Sequence, residues 1–104
     1  MNSRQSNRIE NKFNELKLKK QKGLICYVVG GYPDPISSEK IIISLIEGGA
    51  DIIEIGIPFS DPIADGPIIQ EASFRALQNG ITPDICLNLI RKIRKTYPLL
   101  PILI

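Results

Sequence analysis

Three acids fall close together in one apolar neighbourhood: Glu54, Asp61 and Asp65. Glu54 interrupts the β-branched run Ile52-Ile53-Glu54-Ile55-Gly56-Ile57, which reads as a strand buried on both faces in a parallel sheet. Side chains alternate along a strand, so Ile52, Glu54 and Gly56 share one face, and Ile53 and Ile55 the other. The Ile53 face suits packing on helices. Glu54 then points the opposite way, near the strand's C-terminal end, where α/β folds gather ligands and catalytic groups. A carboxylate there is costly if ionised and unpaired, which favours holding a proton and suits a general acid or base. A structural carboxylate satisfied by backbone donors or an arginine fits the position equally well. Asp65 precedes Gly66, and Asp-Gly is a common turn pair. Asp65 is also a fit cap for a following helix, so turn chemistry competes with catalysis at that residue.

Elements must position these acids. Asn7 and Glu10 match a capping box, and Ile9, Phe13 and Leu16 recur at helical spacing to about Lys20. Lys17, Lys19, Lys20 and Lys22 crowd the end of that helix as a solvated, dipole-friendly terminus, and Gly23 breaks it. Leu24 to Val29 is a strand-type run, followed by the turn Gly30-Gly31-Tyr32-Pro33. Asp34 caps a helix opened by Pro35, with Ile41, Ile42, Leu45 and Ile46 on one face and a stop at Gly48-Gly49. The loop after the central strand carries Pro58, Pro62 and Pro67. Pro67 opens a helix through Asn79, with Ile69, Ala72, Ala76 and Leu77 inward. Thr82-Pro83 opens another, with the stripe Ile85, Leu89, Ile90 and Ile93. Pro98 and Pro101 bracket a break before a third strand at Ile102-Leu103-Ile104. Strands alternating with helices imply parallel, right-handed βαβ units.

Composition narrows the function classes. A chain of 104 residues holds one small domain at most. A net charge of +2, with no basic patch interleaved with aromatics, gives no case for nucleic acid. No apolar run reaches the length of a membrane span. Cys26 and Cys86 lack metal-ligand spacing and read as free thiols of a reducing compartment. The sequence holds no histidine, so Ser-His-Asp chemistry and histidine-ligated metals have no basis within it, and no metal site is expected. Met1 to Asn7 is polar, is expected to fray, and has no apolar core of a secretory signal.

The stretch Ile-Glu-Ile-Gly-Ile-Pro-Phe-Ser-Asp-Pro-Ile-Ala-Asp-Gly-Pro-Ile-Ile-Gln, residues 53 to 70, resembles the signature of the tryptophan synthase alpha subunit family. Tyr27-Val28-Val29-Gly30-Gly31-Tyr32-Pro33-Asp34 is similar to that family's first strand and loop, and Ile81-Thr82-Pro83 to the start of its next helix. The likeness runs from about Phe13 to Ile104. It implies an α/β chain forming the N-terminal portion of a (β/α)8 TIM barrel: an extra N-terminal helix closing the barrel bottom, and the first three strands. Residues 1–104 are then one incomplete domain, because a closed barrel needs about 250 residues. Such a segment alone is expected to be inactive and poorly folded, with Ile52, Ile102 and Ile104 or their neighbours bared on an interior face.

The resemblance also implies an activity. It is a lyase reaction of tryptophan biosynthesis, the retro-aldol cleavage of indole-3-glycerol phosphate to indole and glyceraldehyde 3-phosphate, with no cofactor. Glu54 matches the catalytic acid/base, and Asp65 the carboxylate that accepts the indole N–H. Tyr27 stands where the family more often has Phe in its indole pocket. Pro58, Phe59, Ser60 and Asp61 match a loop that helps dock the beta subunit in an alpha2-beta2 tetramer. The phosphate grip belongs to later strands. The alternatives are another phosphate-binding TIM-barrel enzyme and a non-catalytic fragment that keeps only the docking loop. Twenty isoleucines, with many Lys and Asn, suit an AT-rich coding sequence, so the expected compartment is bacterial cytoplasm or plastid stroma.

Overall fold

A computed structural model describes residues 7–104. Of the stretch expected to fray, all but Asn7 lies outside the described residues. The elements run α1 (Arg8–Leu18), β1 (Ile25–Val29), α2 (Pro35–Glu47), β2 (Ile52–Gly56), α3 (Pro67–Gln78), α4 (Pro83–Thr96) and β3 (Ile102–Leu103). Type and order match the expectation from sequence.

Local chemistry sets the boundaries. Asn7, Asp34 and Thr82 each accept a hydrogen bond at their side-chain oxygen from a backbone N–H in the first helical turn. That satisfies a donor which has no partner within the helix. A proline at the helix start follows in α2, α3 and α4, where its missing N–H costs nothing. Helix ends are equally regular. Gly49 and Gly80 adopt φ of 115° and 82°, and the next N–H bonds back to Leu45 and Ala76. α1 stops earlier than expected, at Leu18, because Lys20 rather than Gly23 takes the left-handed position (φ 55°). The Lys20 N–H then reaches the Lys17 carbonyl and the Gln21 N–H the Leu16 carbonyl. A non-glycine residue in that conformation costs about 1–2 kcal/mol.

The three strands form one parallel sheet in the order β1-β2-β3. Ile25 to Val29 pair in register with Ile52 to Gly56, and Ile53 and Glu54 pair with Ile102 and Leu103. Asp51 reinforces the start of this ladder by accepting the Leu24 N–H at 2.8 Å. One sheet face packs on α2 and α4, where Ile42, Ile53, Ile55, Leu89 and Ile93 form the main core. Complete burial of each such side chain contributes about 1.5–3 kcal/mol. A second cluster joins Val29, Ala76, Ile81 and Cys86.

Three details differ from the sequence expectation. Ile102 pairs with Ile53, so it lies on the helix-covered face and packs against the main core. Ile52 is only 1% exposed, although it lies on the face opposite the helices. Of the three isoleucines expected to be bared, only Ile104 is exposed. In α2, Ile41 points outward while Ser38 is buried with Ile42, because that helix turns its 38–42–45 edge inward. The buried Ser38 hydroxyl accepts the Gly31 N–H at 3.0 Å, tying α2 to the β1 loop. Among the described residues no helix is long and apolar enough to cross a membrane.

β1 and β3 have no second neighbour among the described residues, and Leu24 and Ile25 are about half exposed beside the open edge. Unpaired parallel edges recruit other chains. Residues 1–104 produced alone are therefore expected to self-associate and to show poor amide dispersion. Sedimentation and a proton–nitrogen correlation spectrum check this, and a well-dispersed soluble monomer would refute it.

Candidate active site

The site grows from the β1–β2 register. Tyr27 lies directly opposite Glu54, and partners in a parallel ladder share a face, so both side chains rise from the side away from α2 and α4. Gly56 follows on the same face of β2. A Cβ on Gly56 would collide with the Tyr27 hydroxyl. The tyrosine ring therefore leans toward the C-terminal end of β2 and occupies the space that glycine leaves. Tyr27 is 41% exposed.

Glu54 is half-buried rather than enclosed. Neither its carboxylate nor that of Asp65 has a hydrogen-bond or ion-pair partner among the described residues. Among the described residues no backbone donor or arginine holds it as a structural glutamate would be held. Asp65 is half-buried in the β2–α3 loop. The turn expected at this residue exists, since its N–H bonds the Pro62 carbonyl at 3.2 Å. The expected cap does not. Gly66 is the N-cap of α3, and no side chain caps that helix.

Gln70 organises this loop, and sequence reasoning missed it. Its side-chain amide donates to the Asp65 carbonyl at 2.7 Å and to the Pro62 carbonyl at 3.3 Å. The available signal was an amide side chain in the first turn of a helix that lacks a side-chain cap.

Asp65 and Glu54 both lie within electrostatic reach of Tyr27. Burial holds the Tyr27 phenol above its ordinary range, and the negative charges of Asp65 and then Glu54 push it further the same way. Asp61 does not join this group. It is exposed, with Phe59 and Ser60, while Pro58 is buried. This part of the loop meets α3 in an open groove of about 970 Å³, walled by Phe59, Pro62, Pro67, Phe74 and Leu77, with neither Glu54 nor Asp65 in it. Both cysteines are free thiols; Cys86 is fully buried, and burial raises its thiol above the usual range. Among the described residues no cluster of three His, Cys, Asp or Glu side chains could hold a metal ion.

Residues 13–104 match the family model for the tryptophan synthase alpha chain. The chain belongs to the tryptophan synthase alpha chain family. It is 48% identical over 95 residues to the alpha chain of Enterobacter sp. (strain 638), covering 91% of this chain and 35% of that one. With the alpha chain of Clostridium acetobutylicum it shares 49% over 90 residues, 86% of this chain and 34% of the relative. The crystal structure of tryptophan synthase subunit alpha from Legionella pneumophila str. Paris superposes with a TM-score of 0.90 at 42% identity, over 94% of this chain and 37% of that chain. The α/β arrangement of three parallel strands and four helices is thus shared with the alpha chain family. This chain spans about a third of the length of the curated relatives it matches.

Those proportions define a test protein, called here the completed chain, in which residues 1–104 replace the matching third of the Enterobacter alpha chain. In it, Gly56→Ala is expected to displace the Tyr27 ring and cost about 1–3 kcal/mol. Urea unfolding of Gly56→Ala, Tyr27→Ala and the double variant checks the cause. Strongly non-additive losses support the contact, whereas simple additivity would contradict it.

Proposed function

We propose that residues 1–104 are the opening portion of a (β/α)8 barrel, one incomplete domain of an enzyme that cleaves indole-3-glycerol phosphate to indole and glyceraldehyde 3-phosphate. The observation that carries this reading is the pair of unpartnered carboxylates, Glu54 and Asp65, about one tyrosine at the strand ends of an alpha chain family member.

The chemistry needs both acids. In its protonated form Glu54 delivers a proton to indole C3, which puts positive charge on the ring nitrogen. Asp65 accepts the N–H and stabilises that charge, as a fixed anion does best when it is already in place. The Glu54 carboxylate then takes the proton of the glycerol hydroxyl next to C3. The C–C bond breaks, its electrons return to the ring, and the carbinol carbon leaves as the aldehyde. Atoms and charge balance with no redox partner, so the half-reaction needs no cofactor.

Tyr27 lines the indole pocket in this reading, and later strands supply the phosphate grip. Pro58, Phe59, Ser60 and Asp61 dock the beta subunit of an alpha2-beta2 tetramer. Two features support that role: Phe59 is 63% exposed, and the adjoining groove sets Phe59, Phe74 and Leu77 beside the charged Glu71 and Arg75.

Two substitutions in the completed chain test the assignment by indole release. Glu54→Gln is expected to abolish turnover while circular dichroism shows the fold intact. Turnover near the parent rate would remove Glu54 from the mechanism. Asp65→Asn is expected to slow indole release by about 10²–10³-fold, because an amide cannot supply the charge. A loss of only a few-fold would return Asp65 to turn chemistry.

A further inference from the structure

We infer that Gln70 is a positioning residue for Asp65, its side-chain amide clamping the Pro62–Asp65 turn so that the Asp65 carboxylate stands in one place. The inference rests on the role proposed for Asp65 above, and it assigns work to a side chain which that mechanism does not use.

Asp65 needs a hold that its own loop does not give. Its carboxylate makes no bond among the described residues. Beside it, nothing lies within 4 Å of the place a Gly66 side chain would take, so packing does not restrain the loop there. The turn is closed by one backbone bond, from the Asp65 N–H to the Pro62 carbonyl at 3.2 Å. An anion that faces a developing charge works best when it is already in place, so the loop has to be fixed before the reaction begins.

Gln70 supplies that fixing from outside the loop. Its Nε2 donates to the Asp65 carbonyl at 2.7 Å and to the Pro62 carbonyl at 3.3 Å. One NH2 group thus places both of its protons on the two ends of a single turn. Both partners are carbonyls, which only accept, so the nitrogen end of the amide must face them. Gln70 is in turn held by α3. Its own N–H bonds the Gly66 carbonyl at 2.9 Å, and Ile69 and Ala72 pack that helix on the cluster of Val29, Ala76, Ile81 and Cys86. A side chain from a packed helix fixes a site more firmly than a loop does by itself. Both clamp bonds face water, so each is modest alone, and their effect comes from acting together on one turn.

Only a double donor meets this geometry. A carboxylate at position 70 would set an acceptor against two acceptors, and a thioether would offer no proton. Met and Glu form helix about as well as Gln, so either change leaves α3 in place. Gln70→Met in the completed chain therefore removes the clamp and little else. Measured without the beta subunit, kcat for indole release is expected to fall about 10-fold with KM unchanged, because Asp65 acts on charge that exists only in the transition state. Gln70→Glu is expected to fall further. In an Asp65→Asn background Gln70→Met is expected to cost nothing more. A parent-like kcat in Gln70→Glu, a loss confined to KM, or full additivity with Asp65→Asn would each overturn the inference. A second readout needs no turnover. Hydrogen exchange of the Asp65 amide, followed in proton–nitrogen correlation spectra, is expected to speed about 10-fold in Gln70→Met while the amides of β2 keep their rates. An unchanged Asp65 amide, or one that speeds only in step with β2, would also defeat the inference. If the completed chain releases no indole, the reaction reading fails, and the exchange measurement still decides whether Gln70 holds Asp65.

Discussion

The parallel register of β1 on β2 is the constraint on which the rest of the structure depends. It extends beyond the strands, since the Gly30 N–H bonds the Gly56 carbonyl at 2.8 Å. Because side chains alternate, a slip of one residue would turn Glu54 into the isoleucine core and push Ile53 and Ile55 out. Two features oppose that slip. Ile53 and Ile55 are completely buried against the helices, and Asp51 holds the Leu24 N–H at the start of the ladder. Hydrophobic burial on one face therefore presents the acid on the other.

The loops divide the remaining work unequally. After β1 the chain turns quickly into α2, with Ser38 and Asp34 securing the turn. After β2 it takes a longer path from Ile57 to Gly66 before α3. That longer path presents two different surfaces. Toward the strand ends it carries Asp65, braced by Gln70. Toward α3 it offers Phe59 and Pro62 to an open groove. A conformational change in this one segment would be felt on both surfaces.

Before β3, arginines bind the backbone carbonyls of the connecting segment. Arg94 donates to the carbonyls of Tyr97, Pro98 and Leu100, and Arg8 to that of Pro98 at 2.7 Å. Burial and the neighbouring Arg8 charge lower the affinity of Arg94 for its proton. Arg8 ties α1, and Arg94 ties α4, to the segment that leads into β3. Pro98 and Pro101 interrupt backbone donation there, so side-chain donors compensate for the proline break.

The sequence by itself determined the elements, their order and the residues with chemistry in reach. Caps at Asn7, Asp34 and Thr82, prolines behind the last two, and glycines at 49 and 80 act over a few bonds, so local composition suffices to read them. The alternation that separates Glu54 from Ile53 and Ile55 is equally local, and the stretch from 53 to 70 carried the family. Only the tertiary structure decided which residues meet. The Tyr27–Glu54 pair joins residues far apart in the chain, and the tip of Tyr27 lies where Gly56 lacks a side chain. Asp65 leaves the helix cap to Gly66, Gln70 takes hold of the loop, and Ile102 turns to the helix face. Each of these depends on register and packing between distant segments, which residue types alone do not encode. The end of α1 shows the same limit, since Lys20 rather than Gly23 took the left-handed turn that glycine usually claims.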